Sequence, residues 1–282
     1  MKNINAYLVG YKDSKKIISA SGYLINKYIP NSIKTTFLNY GSFKGEIFNS
    51  SYTMLSYLRY GGVNSWGKNL AKFFKNLDEE ILIFGLDDYL LTKKLKEDQL
   101  RKFILKMQDS ANIANVQLSI TSNQLNKNYI INSDGFNYLK PDAMYSAITQ
   151  WSIWRKDILV TILENIKNPW EFELNGSKIL NNLNLKTVIA DPPILIYPDG
   201  SSLSGRQKGK ISVLGNQVKD INNLIKIGYL KKEELILGQF TNVSIPYDEK
   251  NYNLNHLLNN YRFDEVEKDF LTYIFDLCLD QR

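Results

Sequence analysis

One stretch limits what this chain can fold into more than any other: Glu80-Ile-Leu-Ile-Phe-Gly85, followed at once by Leu86-Asp87-Asp88-Tyr89. A nearly continuous run of apolar β-formers has no polar face to offer water. As a strand it must be covered on both sides, as strands are in a parallel sheet packed between helices. Two carboxylates directly after it then fall at the strand's carboxyl end, where open α/β sheets hold their ligands. Charged groups in such a crevice need partners, because an isolated carboxylate is costly to desolvate. A divalent cation bridging to a diphosphate would satisfy both, since Mg²⁺ or Mn²⁺ takes one or two carboxylates plus phosphate oxygens. The plainer alternative is an N-cap pair opening the next segment, a position that Asp suits well.

Around this stretch the chain alternates strand and helix. Residues 6–10 and 33–38 predict strands with a helix at 17–28 between them, and Ser65 predicts the cap of a helix through Lys75. Further on, a helix is expected at 97–108, a strand at 114–120, loops with a short strand at 121–135, and a helix from Ile153 to Asn165. Trp151 and Trp154, three residues apart, would pack that helix on the sheet from one face. Asn168-Pro-Trp170 opens a short turn or helix through Gly176, residues 186–190 and 194–197 predict strands, and the pattern is helical from Val218, ending in an amphipathic stretch at 255–279. The order predicts an α/β fold, a doubly wound nucleotide-binding sheet flanked by helices. Residues 1–215 would form the nucleotide-binding domain and 216–282 a helical extension packed on it.

Composition narrows the chemistry. The single histidine, His256, and the single cysteine, Cys278, exclude the usual zinc sites and any internal disulfide. A Ser-His-Asp or Cys-His hydrolase would rest on His256 alone, in a stretch expected to be helical. The net charge of +6 is spread along the chain without an Arg-rich block. That distribution argues against nucleic acid and suits smaller anions, such as nucleotide diphosphates, or an acidic lipid surface. The opening MKNINAYLVGYKDSKK lacks a signal-peptide core, and no run approaches the roughly 20 apolar residues of a membrane span. The expectation is a cytoplasmic protein, at most peripheral at the inner membrane face.

Two other segments carry candidate chemistry. Arg206, Lys208 and Lys210 lie in a Gly- and Ser-rich stretch, 198–210, that reads as a loop able to close over phosphates, or as an ordinary solvated loop. It is not a Walker loop, because Ile211 stands where the hydroxyl residue belongs. Gln150 can hydrogen-bond a sugar or nucleobase, or serve a helix start.

The stretch GGVNSWGKNLAKFFKNLDEEILIFGLDDYLL resembles the donor-site region of GT-A glycosyltransferases, especially the family 2-like bacterial enzymes. A second resemblance runs from Gln150-Trp-Ser-Ile-Trp154 through Asn168-Pro-Trp-Glu-Phe-Glu173 to Gly176-Ser177, an order similar to bacterial surface-glycan glycosyltransferases. Together they cover roughly residues 1–215. The resemblance implies a GT-A-like, Rossmann-type mixed sheet flanked by helices, and transfer of a sugar from a nucleotide-diphosphate donor to a glycan or lipid-linked acceptor hydroxyl. Asp87 and Asp88 are adjacent where the familiar pattern is Asp-x-Asp, which makes Asp88 the expected metal ligand and gives Asp87 an indirect or sugar-contacting role. Lys68 would meet the donor. Inverting transfer also needs a base for the acceptor hydroxyl. Analogy favours Glu171, with Glu173 second, and Trp170 beside them either supports the sugar face or plugs the core. Two alternatives stand: a sugar-phosphate nucleotidyltransferase, although Tyr11-Lys-Asp-Ser-Lys-Lys16 lacks that class's glycines, and a non-catalytic carbohydrate- or partner-binding protein.

Overall fold

The computed structural model describes residues 4–10, 15–39, 50–54, 65–119, 129–131, 134–141, 143–195, 197, 211–213, 218–231 and 235–237. In chain order the elements are β1 (Ile4–Val9), α1 (Lys15–Tyr28), β2 (Ile33–Asn39), β3 (Ser51–Met54), α2 (Trp66–Lys75), β4 (Ile81–Leu86), α3 (Glu97–Asp109) and β5 (Ile113–Gln117). There follow β6 (Tyr129–Ile131), β7 (Asn137–Leu139), β8 (Ser152–Arg155), α4 (Lys156–Glu164), α5 (Pro169–Asn182), β9 (Lys186–Ile189), β10 (Ile211–Val213), α6 (Val218–Lys226) and β11 (Leu235–Leu237).

Among the described residues, nine strands form one sheet in the order β3-β2-β1-β4-β8-β5-β9-β7-β6. β1 to β5 and β9 share one direction, while β7 and β8 oppose it. The expected mixed α/β sheet is present, and helices cover both faces. α1 and α3 supply Ile18, Ile25, Leu100, Phe103 and Met107 to one core. α2, α4 and α5 supply Trp66, Leu70, Phe74, Ile162 and Phe172 to the other. β4 alternates between them, with Ile83 in the first and Leu82 and Phe84 in the second, so its apolar run is buried twice over.

The expected helix at Ile153–Asn165 begins later, at Lys156, because 152–155 are the strand β8. The period there is two: Trp151 and Ile153 enter one core and Trp154 the other. The two tryptophans therefore face opposite sides of the sheet and do not share a helix face. Trp151 packs close against β4, where a Cβ on Gly85 would lie 2.6 Å from its Cδ1. The short turn or helix expected from Asn168 through Gly176 is a helix of 14 residues, α5, which runs past Gly176. A Cβ there would crowd Ile162 and Ala147, so the glycine admits α4 and the preceding loop and does not end the helix. Residues 194, 195 and 197 are not strand. Pro192 and Pro193 precede them and cannot donate to a ladder, and the Ile194 and Leu195 amides both turn to the Leu118 carbonyl.

α2 and α4 meet so closely that a Cβ on Gly67 would lie 2.3 Å from the Leu163 carbonyl oxygen and 2.4 Å from that of Ile166. Those are backbone atoms and cannot rotate away. Gly67→Ala is expected to destabilise the fold by about 3 kcal/mol, at the upper end of ordinary overpacking. Denaturant unfolding reads this directly, and an unchanged midpoint would mean that the helices separate at no cost.

α6 lies against α1. Asp220 is buried and receives hydrogen bonds from Lys27 and Tyr28, and Asn223 Nδ2 donates to the Tyr23 hydroxyl at 2.7 Å. β10 and β11 pair in parallel, one on each side of residue 215, and β11 falls where the pattern predicted helix. Arg206, Lys208, Lys210, the stretch 255–279, His256 and Cys278 lie outside the described residues. No described helix is long and apolar enough to cross a membrane.

Candidate active site

The strand order reverses at β1. From it the chain builds outward to β2 and β3, then returns to place β4 on its other side. Such a reversal, at the carboxyl ends of β1 and β4, is where open α/β sheets hold their ligands. Asp87 and Asp88 sit there. The Asp87 amide donates to the Val9 carbonyl at 3.2 Å, and the Leu86 amide to that of Thr149 at 3.1 Å. Asp87 is buried and Asp88 half-buried, so Asp88 is the one nearer solvent.

β8 runs against its neighbours, so the residues just before it arrive at the same carboxyl edge. This loop, 143–150, is pinned from below by polar side chains. Asn115 Nδ2 and Thr187 Oγ1 donate to the Ser146 carbonyl at 3.0 and 3.1 Å, and Gln117 Nε2 to that of Tyr145 at 2.8 Å. Tyr145 has φ +60°, an uncommon conformation for a bulky residue that this network holds in place. From the side, Ser177 Oγ accepts from the Ala147 amide at 3.0 Å. Glu173 Oε1 accepts from the Thr149 amide at 3.1 Å and its hydroxyl at 2.7 Å.

Tyr89 follows Asp88 in the chain and bonds with Thr149, the residue that Glu173 holds. Burial pushes its phenol pKa well up, the negative charges of Asp88 and Glu173 add to the shift, and a hydrogen bond with Thr149 opposes it. Its ring lies 4.6 Å from that of Tyr197. The Tyr197 hydroxyl is 2.5 Å from Ser119 Oγ, which donates to Gln150 Oε1 at 2.6 Å. Four segments thus converge on one edge: those after β4, β5 and β9, and the one before β8.

The residues expected from sequence divide accordingly. Asp87, Asp88, Gln150 and Glu173 come together. Gln150 is buried, and its carbonyl oxygen serves Ser119 and Tyr197. Glu171 closes the first turn of α5: its amide donates to Asn168 Oδ1 at 2.9 Å, and its Oε2 accepts from the Lys167 amide at 2.8 Å. Lys68 is exposed on α2, two residues beyond Trp66, whose ring meets Phe84 and Phe172. Tyr89, Thr149, Ser119 and Tyr197 were not foreseen. A signal for the edge was legible in Asn115, Gln117 and Ser119, polar residues alternating with Ala114, Val116 and Leu118 along β5 and the two residues after it, where all six are fully buried. Buried polar side chains on a period of two mean that one strand face supports a polar structure.

Among the described residues no group of three or more His, Cys, Asp or Glu is arranged to hold a metal ion. A Mg²⁺ or Mn²⁺ ion bound largely through phosphate oxygens needs only one or two protein carboxylates, and of the pair Asp88 is the one nearer solvent. A cavity of about 560 Å³ opens at the opposite, amino end of the sheet. Its wall carries Asp78, Glu79, Glu80 and Glu97, while its Arg101 is paired with Glu97. Burial disfavours the Glu79 carboxylate, yet hydrogen bonds from Tyr7 and Asn5 outweigh it and hold its pKa below the usual range. Such a cavity repels a diphosphate.

No family model matches the chain, and no curated protein does. Solved structures with a similar fold include a mannosyltransferase from Pyrobaculum calidifontis in complex with GDP-Man and Mn²⁺, at 8% identity and TM-score 0.45, covering 99% of this chain and 70% of that one. Residues 1–349 of S. aureus TarS match at 12% identity and TM-score 0.45, covering 99% and 72%. A UDP-glucose pyrophosphorylase matches at 12% identity and TM-score 0.40, covering 66% and 89%.

Proposed function

We propose that this chain is a glycosyltransferase that moves a sugar from a nucleotide-diphosphate donor to a glycan or lipid-linked acceptor hydroxyl. One observation carries the reading: an acidic pair at the β1/β4 reversal point, followed by Tyr89, which bonds with the same Thr149 that holds a third carboxylate, Glu173. Two acidic groups at one edge, one beside the crevice and one oriented on a helix, fit a reaction with a charged leaving group and an acceptor proton to remove.

In this reading Asp88 faces the donor diphosphate, and Asp87, buried behind it, fixes the turn. A divalent cation, when bound, would be held by Asp88 with the phosphate oxygens and would neutralise charge on the leaving diphosphate. Lys68 and the basic trio Arg206, Lys208 and Lys210 are assigned to the phosphates as well. Glu173 takes the base role. Among the described residues its hydrogen bonds fall on Oε1, and Oε2 is assigned to the acceptor hydroxyl. The acceptor oxygen loses its proton to Glu173 and attacks the anomeric carbon. The bond from that carbon to the diphosphate breaks, and its electron pair leaves on the nucleoside diphosphate. One such displacement inverts the anomeric configuration. Glu171, engaged in the cap, is the weaker candidate for base. The protein is assigned to the cytoplasm, with peripheral contact at the inner membrane face for a lipid-linked acceptor.

A product assay tests the reading. Incubated with a panel of nucleotide sugars and Mn²⁺, the chain should release nucleoside diphosphate. Release of pyrophosphate from a nucleoside triphosphate and a sugar 1-phosphate, with no diphosphate from any nucleotide sugar, would assign it to nucleotidyl transfer instead.

A further inference from the structure

The chain has four tryptophans. Trp66, Trp151 and Trp154 are almost completely buried, whereas Trp170 is 60% exposed. A lone exposed aromatic needs no explanation. Trp170 differs because the structure fixes its backbone and sets it beside a carboxylate. It stands in the first turn of α5, which Asn168 caps, Pro169 opens and Glu171 closes. Two residues on, Phe172 is fully buried against Trp66, Phe84 and Trp154. A helix turn anchored on that side holds its opposite side out to solvent in a fixed orientation. Residues three and four apart on a helix are neighbours, with Cβ atoms about 5–6 Å apart. Trp170 therefore adjoins Glu173 and Leu174, and Leu174 is itself exposed.

We infer that Trp170 is the platform on which the acceptor sugar stacks, so that the acceptor presents a saccharide ring, and not a bare lipid phosphate, to Glu173. This rests on the glycosyltransferase reading and names the acceptor class at the same site. A pyranose has one face of C–H groups and a rim of hydroxyls. The indole gives the C–H face a flat, weakly polar surface, and the carboxylate one turn away accepts from the rim. Leu174 extends the apolar strip along the helix. A platform already ordered loses little conformational freedom on binding.

Because the other three tryptophans are buried, Trp170 is also the reporter. Iodide should quench one accessible component of the fluorescence of the full chain, and Trp170→Phe should remove it. A panel of methyl glycosides (glucoside, galactoside, N-acetylglucosaminide and mannoside) should include a member that shields this component at saturation. Trp170→Ala should weaken that glycoside's binding about tenfold, and Trp170→Phe less. Nucleoside diphosphate affinity, followed by thermal shift, should be unchanged in both variants. Shielding by anionic phosphatidylserine vesicles and by no glycoside would assign the ring to a lipid surface and overturn the inference. Failure of every glycoside to shield it would do the same. Shielding by a glycoside in a chain that binds no nucleotide would uphold the platform while removing the transferase reading.

Discussion

Glu173→Gln is expected to lower turnover about a hundred- to ten-thousand-fold while leaving donor binding intact, the range a general base contributes. The amide keeps the size and shape of the side chain, and its carbonyl oxygen still accepts from the Thr149 amide and hydroxyl. It cannot take a proton from the acceptor. Glu171→Gln is the matched control. It trades a charged acceptor for a neutral one at the Lys167 amide in a helix cap, so the loss belongs to stability, about 1 kcal/mol or less, and turnover should stay near normal. The measurement is transfer to acceptor, or donor hydrolysis where the acceptor is unidentified. A collapse in Glu171→Gln with near-normal turnover in Glu173→Gln would exchange the two roles.

Asp88→Asn should weaken nucleoside diphosphate binding roughly ten- to a hundredfold in the presence of Mn²⁺ and abolish detectable transfer. Losing one charge-assisted interaction is worth about 1.5–3 kcal/mol, and each 1.4 kcal/mol is about tenfold in affinity. Asp88 is only half-buried, so its neutral isostere should leave the fold in place. The same change at Asp87, buried at the turn after β4 and bonded to Val9, should show mainly as lost stability. Calorimetry on the two variants separates these effects. Full diphosphate affinity in a folded Asp88→Asn variant would take Asp88 out of the donor site.

The sheet was legible because its strands are buried on both faces. Glu80 to Leu86 announces such a strand through its apolar run, and Asp87 and Asp88 mark its carboxyl end with no tertiary information. What failed was local periodicity in 150–155. Gln-Trp-Ser-Ile-Trp-Arg can be read at a spacing of three as helix or at two as strand, and only the pairing of β8 with β4 and β5 settles it. That error conceals the reversed strand, and with it the reason that Thr149 and Gln150 arrive beside Asp87 and Asp88. Which of Glu171 and Glu173 meets the loop was beyond sequence for a similar reason. Side chains two apart on a helix diverge, but which one meets the loop depends on the seating of Ser177 and Gly176 against Ala147. Ser119 and Tyr197 join Gln150 only across three separate segments.

The central claim is one of place: the nucleotide diphosphate binds at the carboxyl edge where β1 meets β4. A crystal structure of the full chain with a bound nucleoside diphosphate and Mn²⁺ tests it most directly. The account predicts the diphosphate beside Asp88, with open space between it and Glu173 for the transferred sugar and the acceptor. A diphosphate bound elsewhere, above all in the acidic cavity walled by Asp78, Glu79 and Glu80 at the amino edge, would contradict it.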